Sequence, residues 1–334
     1  MKEAAEPRLE RPQILPSLYA PVMDGLAQVE EVFRNELRSK YPFVDDLVKY
    51  GFRLGGKRLR PALVLLSGLA VGKIERPHVI LAAAVEMIHT ATLIHDDVLD
   101  EATIRRHLAT VNARWSNETS VLLGDYLFAR ALYISSMLDD VFACRVLNKA
   151  SLVMCEGELR QVESRGNYRL KEDEYYEIVR GKTASLTACC CQLGAHYAEA
   201  DPETEKALSE YGAHLGVAFQ ITDDLLDVLG DEAKVGKSLG TDLAKQKSTL
   251  PMIRLLDQVD EEQRAELIEQ LCASENGRYE FLRPWWERSD ALSYSRDQAN
   301  RFCKLAISKL DILPPSPARD SLQGLAEFVI RREH

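Results

Sequence analysis

The sequence has no surplus of positive charge: 42 Lys and Arg face 52 Asp and Glu over 334 residues, a net charge of −10. Such a chain sets up no general field that gathers phosphates, which argues against a nucleic-acid partner. Any anion site must be built locally. No Cys-x-x-Cys pair occurs among the seven cysteines, and Cys189, Cys190 and Cys191 are consecutive, so they point to different faces of a helix. Zinc and disulfide readings both fail, leaving buried thiols in a reducing cytoplasm as the expectation. Residues 1–16 are charged and punctuated by Pro7, Pro12 and Pro16, without the apolar run of a signal peptide. The apolar stretch 62–71 is too short to span a bilayer, and Glu86 and His89 interrupt the stretch 79–94, so no transmembrane segment is expected. Hairpin signals are nearly missing: neither Asp24-Gly25 nor Asn276-Gly277 lies between alternating apolar runs.

What is present has helical texture. Leu26, Val29, Val32, Phe33 and Leu37 recur at helical spacing, and Pro77 suits the first turn of a helix that meets no further Gly or Pro until Gly124. Segments 126–138, 146–162, 208–228 and 297–310 repeat the texture, and no shift of composition marks a boundary. The expectation is an all-α fold in one domain, 1–334, with residues 1–20 as an irregular tail.

Two acidic clusters share one spacing: Asp96-Asp97-x-x-Asp100 and Asp223-Asp224-x-x-Asp227. Positions i and i+4 stack on one helix face, so Asp96 and Asp100 share a side and Asp97 flanks it. Stacked carboxylates at a helix C-terminus face the negative end of its dipole. A chain that carries both costs points to a cation, and hard oxygen ligands suit Mg²⁺ completed by substrate phosphates. One acidic triplet alone reads equally well as a wet helix surface. Two of identical spacing, each flanked by apolar residues such as Ile94 and Ile221, point to facing helices bridged by metal and polyphosphate.

Basic residues cluster beside them. Gly55-Gly56-Lys57-Arg58-Leu59-Arg60 puts Lys57 and Arg60 three apart after two glycines, a candidate anion cradle. Arg105-Arg106 follows the first cluster, Lys182-Thr183 supplies a cation and a hydroxyl, and Lys237 and Lys247 flank the loop after the second cluster. Each alone would be a solvated charge; together they form a set.

The motifs Gly-Gly-Lys-Arg-Leu-Arg-Pro, Asp-Asp-Val-Leu-Asp-(x4)-Arg-Arg, Leu-Leu-Gly-Asp-Tyr-Leu, Glu-Gly-Glu-(x2)-Gln, Lys-Thr-Ala and Phe-Gln-Ile-Thr-Asp-Asp-Leu-Leu-Asp resemble the trans-isoprenyl diphosphate synthase family. The resemblance implies an isoprenoid synthase fold with antiparallel helices around a central cavity, and a homodimer. It implies that Asp96, Asp97 and Asp100, with Asp223, Asp224 and Asp227, hold Mg²⁺ against an allylic diphosphate contacted by Arg105, Lys182, Lys237 and Lys247. Lys57, Arg60, His89 and Arg106 would bind isopentenyl diphosphate, while Thr183 and Gln220 would line the reaction centre. By its residues alone, His89 reads as an ordinary core histidine. Three positions depart from the family pattern: His107 where Gly is usual, Ser238 for Pro, and Gln246 for Gly before Lys247.

Product length should follow from the residues upstream of Asp96, since one helical turn of about 5.4 Å matches roughly one isoprene unit. Ala91 and Thr92 are small, with Ile88 and Met87 a turn deeper. The expectation is a long, octaprenyl-like product for a quinone side chain, rather than farnesyl or geranylgeranyl diphosphate, with Met154 as a candidate floor and transient membrane contact for product release. A class I terpene cyclase has no use for the Lys57/Arg60 cradle. A non-catalytic partner subunit often loses an aspartate cluster, and this chain keeps both.

Overall fold

The computed structural model of the chain describes residues 11–53, 56–229, 240–273 and 278–331. It is a helical assembly, and the helices that matter for function are long and anchored at defined ends. Helix α1 spans Arg11–Tyr19, α2 Met23–Glu36, α3 Pro42–Arg53, α4 Leu59–Val71 and α5 Arg76–Leu99. Glu75 and His78 cap α5: the Glu75 amide donates to His78 Nδ1 at 3.0 Å, and Pro77 stands in the first turn, where it forfeits no helical bond. The helix stops at Asp100, whose amide closes on Asp96 O at 2.8 Å, and Glu101 then takes a left-handed φ of 50°. The first aspartate cluster is therefore the last turn of α5.

A two-residue hairpin follows, β1 (Ile104–Arg105) antiparallel to β2 (Leu108–Ala109), then α6 (Val111–Arg114), α7 (Asn117–Ser136) and α8 (Phe142–Glu163). Helix α9 (Glu172–Val179) runs through a π-turn, Arg180–Ala184, into α10 (Ser185–Tyr197). Asp201 caps α11 (Pro202–Leu229) by accepting from the amides of Glu203 at 2.9 Å and Thr204 at 3.0 Å. The short α12 (Thr241–Ala244) leads to α13 (Leu250–Gln258), α14 (Glu261–Ala273), α15 (Arg278–Arg288), α16 (Ala291–Ser308) and α17 (Pro317–Arg331).

Helices α5 and α7, α10 and α11, α11 and α16, and α4 and α10 make the principal packings. Leu63, Leu65, Leu66, Leu81, Met87 and Ile88 are fully buried between α4, α5 and their neighbours. By length and apolarity α5 could cross a membrane, but 72% of its most apolar window is buried inside the fold, so it is a core helix here. The π-turn is squeezed between helices that approach through glycines. A Cβ on Gly157 of α8 would lie 2.4 Å from the Lys182 amide nitrogen, and one on Gly216 of α11 would lie 2.6 Å from Ala184 Cα. These close approaches bring Lys182 and Thr183 against both helices.

The tail expected over residues 1–20 is helical where it is described: α1 continues into a 3₁₀ turn, Ala20–Val22. Its prolines suggested irregular chain, yet docking wins over that local preference. Helix α1 packs on α17, and the buried Tyr19 hydroxyl donates to Lys57 O at 2.9 Å. Residues 1–10 lie outside the described range.

Arg105 and Arg106, which follow the first cluster, stand on the hairpin rather than on a continued helix; its two turn residues are Arg106 (φ 51°) and His107 (φ 65°). A two-residue hairpin of this hand needs positive φ at both central positions, which explains why glycine suits position 107. The exposed His107 carries the left-handed cost that glycine would avoid. His107→Gly should therefore raise stability by about 0.5–1 kcal/mol, measured as a higher urea midpoint at unchanged slope; a lower midpoint would contradict the strain.

Candidate active site

The three aspartates of α5 do not share one environment. Asp97 is 1% exposed, and Arg105 Nε donates to its Oδ1 at 2.7 Å. This ion pair ties the hairpin to the end of α5. Asp96 and Asp100 are half-buried on the adjoining face. Burial pushes the Asp96 carboxyl above its ordinary range, Lys182 opposes that, and Glu158 and Asp100 reinforce it. At Asp100 burial is outweighed by Lys247, Lys245 and Lys182, which hold the carboxyl below its usual value. Lys245 Nζ lies 2.9 Å from Asp100 Oδ2, and an Arg165 terminal nitrogen 3.8 Å from Oδ1.

The second cluster hangs on α11. Asp224 is buried and accepts from the Tyr175 hydroxyl at 2.6 Å and from Gln220 Nε2 at 2.9 Å. Burial, with Asp242 and Asp223 adding repulsion, raises its affinity for a proton well above that of an ordinary carboxylate. Gln220 Oε1 in turn accepts from the Thr183 hydroxyl at 2.8 Å. Asp227 Oδ2 accepts from the Asp242 amide at 3.1 Å, so Asp227 anchors α12. Lys182 is held by Gln161 at 2.7 Å and by an ion pair with Glu158, which explains the Glu-Gly-Glu-(x2)-Gln motif: two side chains fix the lysine and the glycine lets its backbone in.

Lys247 joins the two clusters. Its ammonium lies 3.1 Å from Asp242 Oδ1, and the negative charges of Asp242, Asp100 and Asp224 overcome burial and hold it firmly protonated. Lys182, Thr183, Gln220, Asp224, Asp242 and Lys247 line a cavity of about 60 Å³. Among the described residues, no three Asp, Glu, His or Cys side chains converge into a ready-made metal cage.

A separate cationic group lies one to two turns back along α5. His89 is half-buried, and desolvation, together with Arg60, Arg106, Arg105 and Arg58, pulls its imidazole well below the ordinary histidine range. Arg60 Nε is buried without a hydrogen-bond partner among the described residues. The Arg106 guanidinium covers Gly56, where a Cβ would lie 2.8 Å from it. Lys57 is exposed, its Nζ 5.7 Å from the Phe328 ring. Arg58 takes φ 53° and pairs with Glu30 at 2.7 Å and the buried Glu86 at 3.1 Å.

A family profile described as polyprenyl synthetase matches residues 41–281. The chain belongs to the polyprenyl synthetase family. It is a trans-prenyltransferase with the all-α isoprenoid synthase fold. It is 37% identical over 311 residues to the octaprenyl diphosphate synthase of Escherichia coli (strain K12), covering 92% of this chain and 96% of that one. Among solved structures, a decaprenyl diphosphate synthase from Rhodobacter capsulatus superposes with a TM-score of 0.91 at 36% identity, covering 96% of this chain and 99% of the other. A polyprenyl synthase from Caulobacter crescentus CB15, complexed with calcium and isoprenyl diphosphate, does so with a TM-score of 0.90 at 32% identity over 96% and 98%.

Of the residues singled out from the sequence, Lys237 lies outside the described range, as does Ser238. The structure adds Tyr175, Glu158, Gln161, Lys245 and Asp242. Only the Glu and Gln belonged to a motif; the others act through contacts between distant segments. Ala91, Ile88 and Met87 are fully buried and Thr92 is half-buried, its hydroxyl donating to His89 O at 2.8 Å. None of the four lines the cavity described above. Gln246, the other glycine position of the family, is left-handed at φ 55°.

The depressed affinity of His89 for protons has a sign. Below about pH 6.5 the unfolded chain protonates this histidine while the folded one excludes the proton, so its effect is to lower stability as pH falls from that value. Thermal melts from pH 7.5 down to 5.5 should show a smaller loss for His89→Gln than for the parent chain. Parallel losses in both would remove His89 from the explanation.

Proposed function

We propose that the chain condenses isopentenyl diphosphate with an allylic diphosphate, using Mg²⁺, and makes a long octaprenyl-like product that serves as a quinone side-chain precursor. The observation that carries this reading is the pairing of two anion-handling centres on α5. One is the aspartate–lysine cleft around Asp96, Asp100, Lys182 and Lys247, and the other is the arginine group around His89. A cyclase that ionises a single diphosphate has no use for the second.

The donor set fits a hard divalent ion. Asp96 and Asp100 stand one turn apart on one face; burial lifts the Asp96 carboxyl, and the repulsion from Glu158 and Asp100 that adds to it is what a cation would relieve. They would hold it with Asp223 and Asp224 across the cleft. Asp97, engaged by Arg105, would act by positioning that arginine, and Asp227 by holding α12. When bound, the metal neutralises the allylic diphosphate and eases loss of that leaving group. Lys182 and Lys247 would grip the diphosphate oxygens; Lys237 and Arg105 extend that grip. Arg60, Arg106 and Lys57 would hold the isopentenyl diphosphate, with the neutral His89 donating or accepting a hydrogen bond. Thr183 and Gln220 form a fixed polar pair beside the reacting carbons. The apolar wall of α5 keeps water from the allylic cation while the isopentenyl double bond attacks, and the departing diphosphate takes the proton that is lost.

Length is set separately from chemistry: relatives of nearly equal identity carry octaprenyl and decaprenyl names. The small side chains of Ala91 and Thr92 support a long product, with Ile88 and Met87 one turn deeper. The alternative is a geranylgeranyl or farnesyl product. Incubation with Mg²⁺, labelled isopentenyl diphosphate and farnesyl or geranylgeranyl diphosphate should give an extractable ladder centred near eight units. Absence of prenyl product with every primer overturns the reading. Ala91→Phe should shift the ladder to shorter products, and an unchanged ladder would remove Ala91 from the path of the growing chain.

We further propose a homodimer built on α7 and α8, which expose Leu122, Tyr133, Leu152 and Leu159 on their outer faces. Sedimentation should give twice the chain mass, and Leu152→Glu with Leu159→Glu should give the monomer; a dimer that survives both changes places the interface elsewhere.

A further inference from the structure

Asp100 meets a protein cation at each carboxylate oxygen, and both cations come from outside α5. Lys245 Nζ stands 2.9 Å from Oδ2, and Arg165 reaches 3.8 Å from Oδ1. Their backbones are joined: the amide of Gly166 donates to Gln246 O at 2.9 Å, so each cation sits one residue before a bonded partner. Three further contacts fix the turn that presents Lys245. Asp227 Oδ2 accepts from the Asp242 amide at 3.1 Å, the Lys247 amide closes on Asp242 O at 2.9 Å, and Arg278 donates to Leu243 O at 3.0 Å. Gln246 holds φ 55°, a left-handed conformation that non-glycine residues seldom adopt. A lysine aimed at Asp100 by so many constraints differs from a solvated surface charge. The Lys245 and Asp100 side chains keep 26% and 21% of their exposure, so their attraction is only partly screened.

We propose that Lys245 is a positioning residue that holds Asp100 until a divalent ion takes it, and thereby sets how tightly the first aspartate cluster binds metal. This rests on the reading of Asp100 as a metal ligand. The ammonium at Oδ2 and a divalent ion at the same carboxylate repel each other, so metal binding is opposed for as long as the Lys245 pair stays closed. Asp227 then has a role without touching metal: it fixes the turn that carries the competitor. The exchange also links the cleft to occupancy, because an opened Lys245 no longer tethers the end of α5 to the segment beyond the second cluster. Arg165, farther away, steadies the other oxygen and competes less.

The test uses Mn²⁺ as probe, without diphosphate, and reads free ion by electron paramagnetic resonance. The parent chain is compared with Lys245→Gln, Lys245→Arg, Asp100→Asn and the double variant Asp100→Asn/Lys245→Gln. Removing a partly exposed ion pair should tighten Mn²⁺ binding about three- to tenfold in Lys245→Gln. Lys245→Arg, which keeps the charge, should stay near the parent. In the Asp100→Asn background, Lys245→Gln should change nothing. If Asp100→Asn weakens Mn²⁺ binding but Lys245→Gln fails to tighten it, the proposed competition is overturned while the ligand reading stands. If Asp100→Asn leaves binding unchanged, the ligand reading itself fails and the proposal with it. Equal tightening by Lys245→Gln with and without Asp100 would assign the effect to general charge rather than to this pair.

Discussion

Carboxylates gathered in the last turn of a buried helix are the constraint around which this molecule is arranged. Asp96, Asp97 and Asp100 repel one another and face the negative end of the α5 dipole. The fold answers with cations from four separate segments: Arg105 from the hairpin, Lys182 from the π-turn, Lys245 and Lys247 from the turn after α12, and Arg165 from the end of α8. None of these segments is stable in its position for its own sake. The π-turn departs from regular helical bonding, and three turn residues, Arg106, His107 and Gln246, sit in the left-handed region. Strain is concentrated where charge has to be met.

Charge balance also explains why neighbouring residues of one motif have different duties. Asp97 lies on the inward side of the turn, where an unpaired carboxylate would be costly, and so it is committed to Arg105. Asp96 and Asp100 are half-buried on the adjoining face. In the second cluster Asp224 is bound by Tyr175 and Gln220, and Asp227 by the Asp242 amide. On the proposed reading, identical spacing in sequence carries both ligands and struts.

The all-α class, the position of α5 and the two aspartate helix segments could be read from the sequence because they depend on local signals. Pro77 opens α5, the absence of Gly or Pro carries the helix to Leu99, and the i, i+4 spacing puts Asp96 over Asp100. What could not be read depends on contacts between distant segments. Lys245 and Arg165 look like surface charges until the backbone bond between Gly166 and Gln246 brings them together. Tyr175 meets Asp224 from 49 residues away. The helix α1 was hidden by its prolines, since its docking on α17 overrides local preference. The departures at His107 and Gln246 were visible as odd residues, but their meaning required the backbone: both keep the conformation that glycine would adopt.

The two anion centres impose a geometric logic on elongation. Both are built on α5, with His89 about two turns before Asp96. On the proposed reading, a chain growing by successive condensations would return a longer allylic diphosphate to the aspartate cleft while the arginine group would receive the same small substrate each time. The charged ends of both substrates would then be held at fixed places, and growth would be taken up on the apolar side of α5. There Ala91, Ile88 and Met87 are packed without exposure. A long product must either displace neighbours at that level or be accommodated by the opening of α5 against the helices beside it. Ala91 offers the least resistance because it has the smallest side chain to move, so on the proposed reading the depth open to a product would depend on how far packing can yield, whereas the chemistry would depend on how charge is paired.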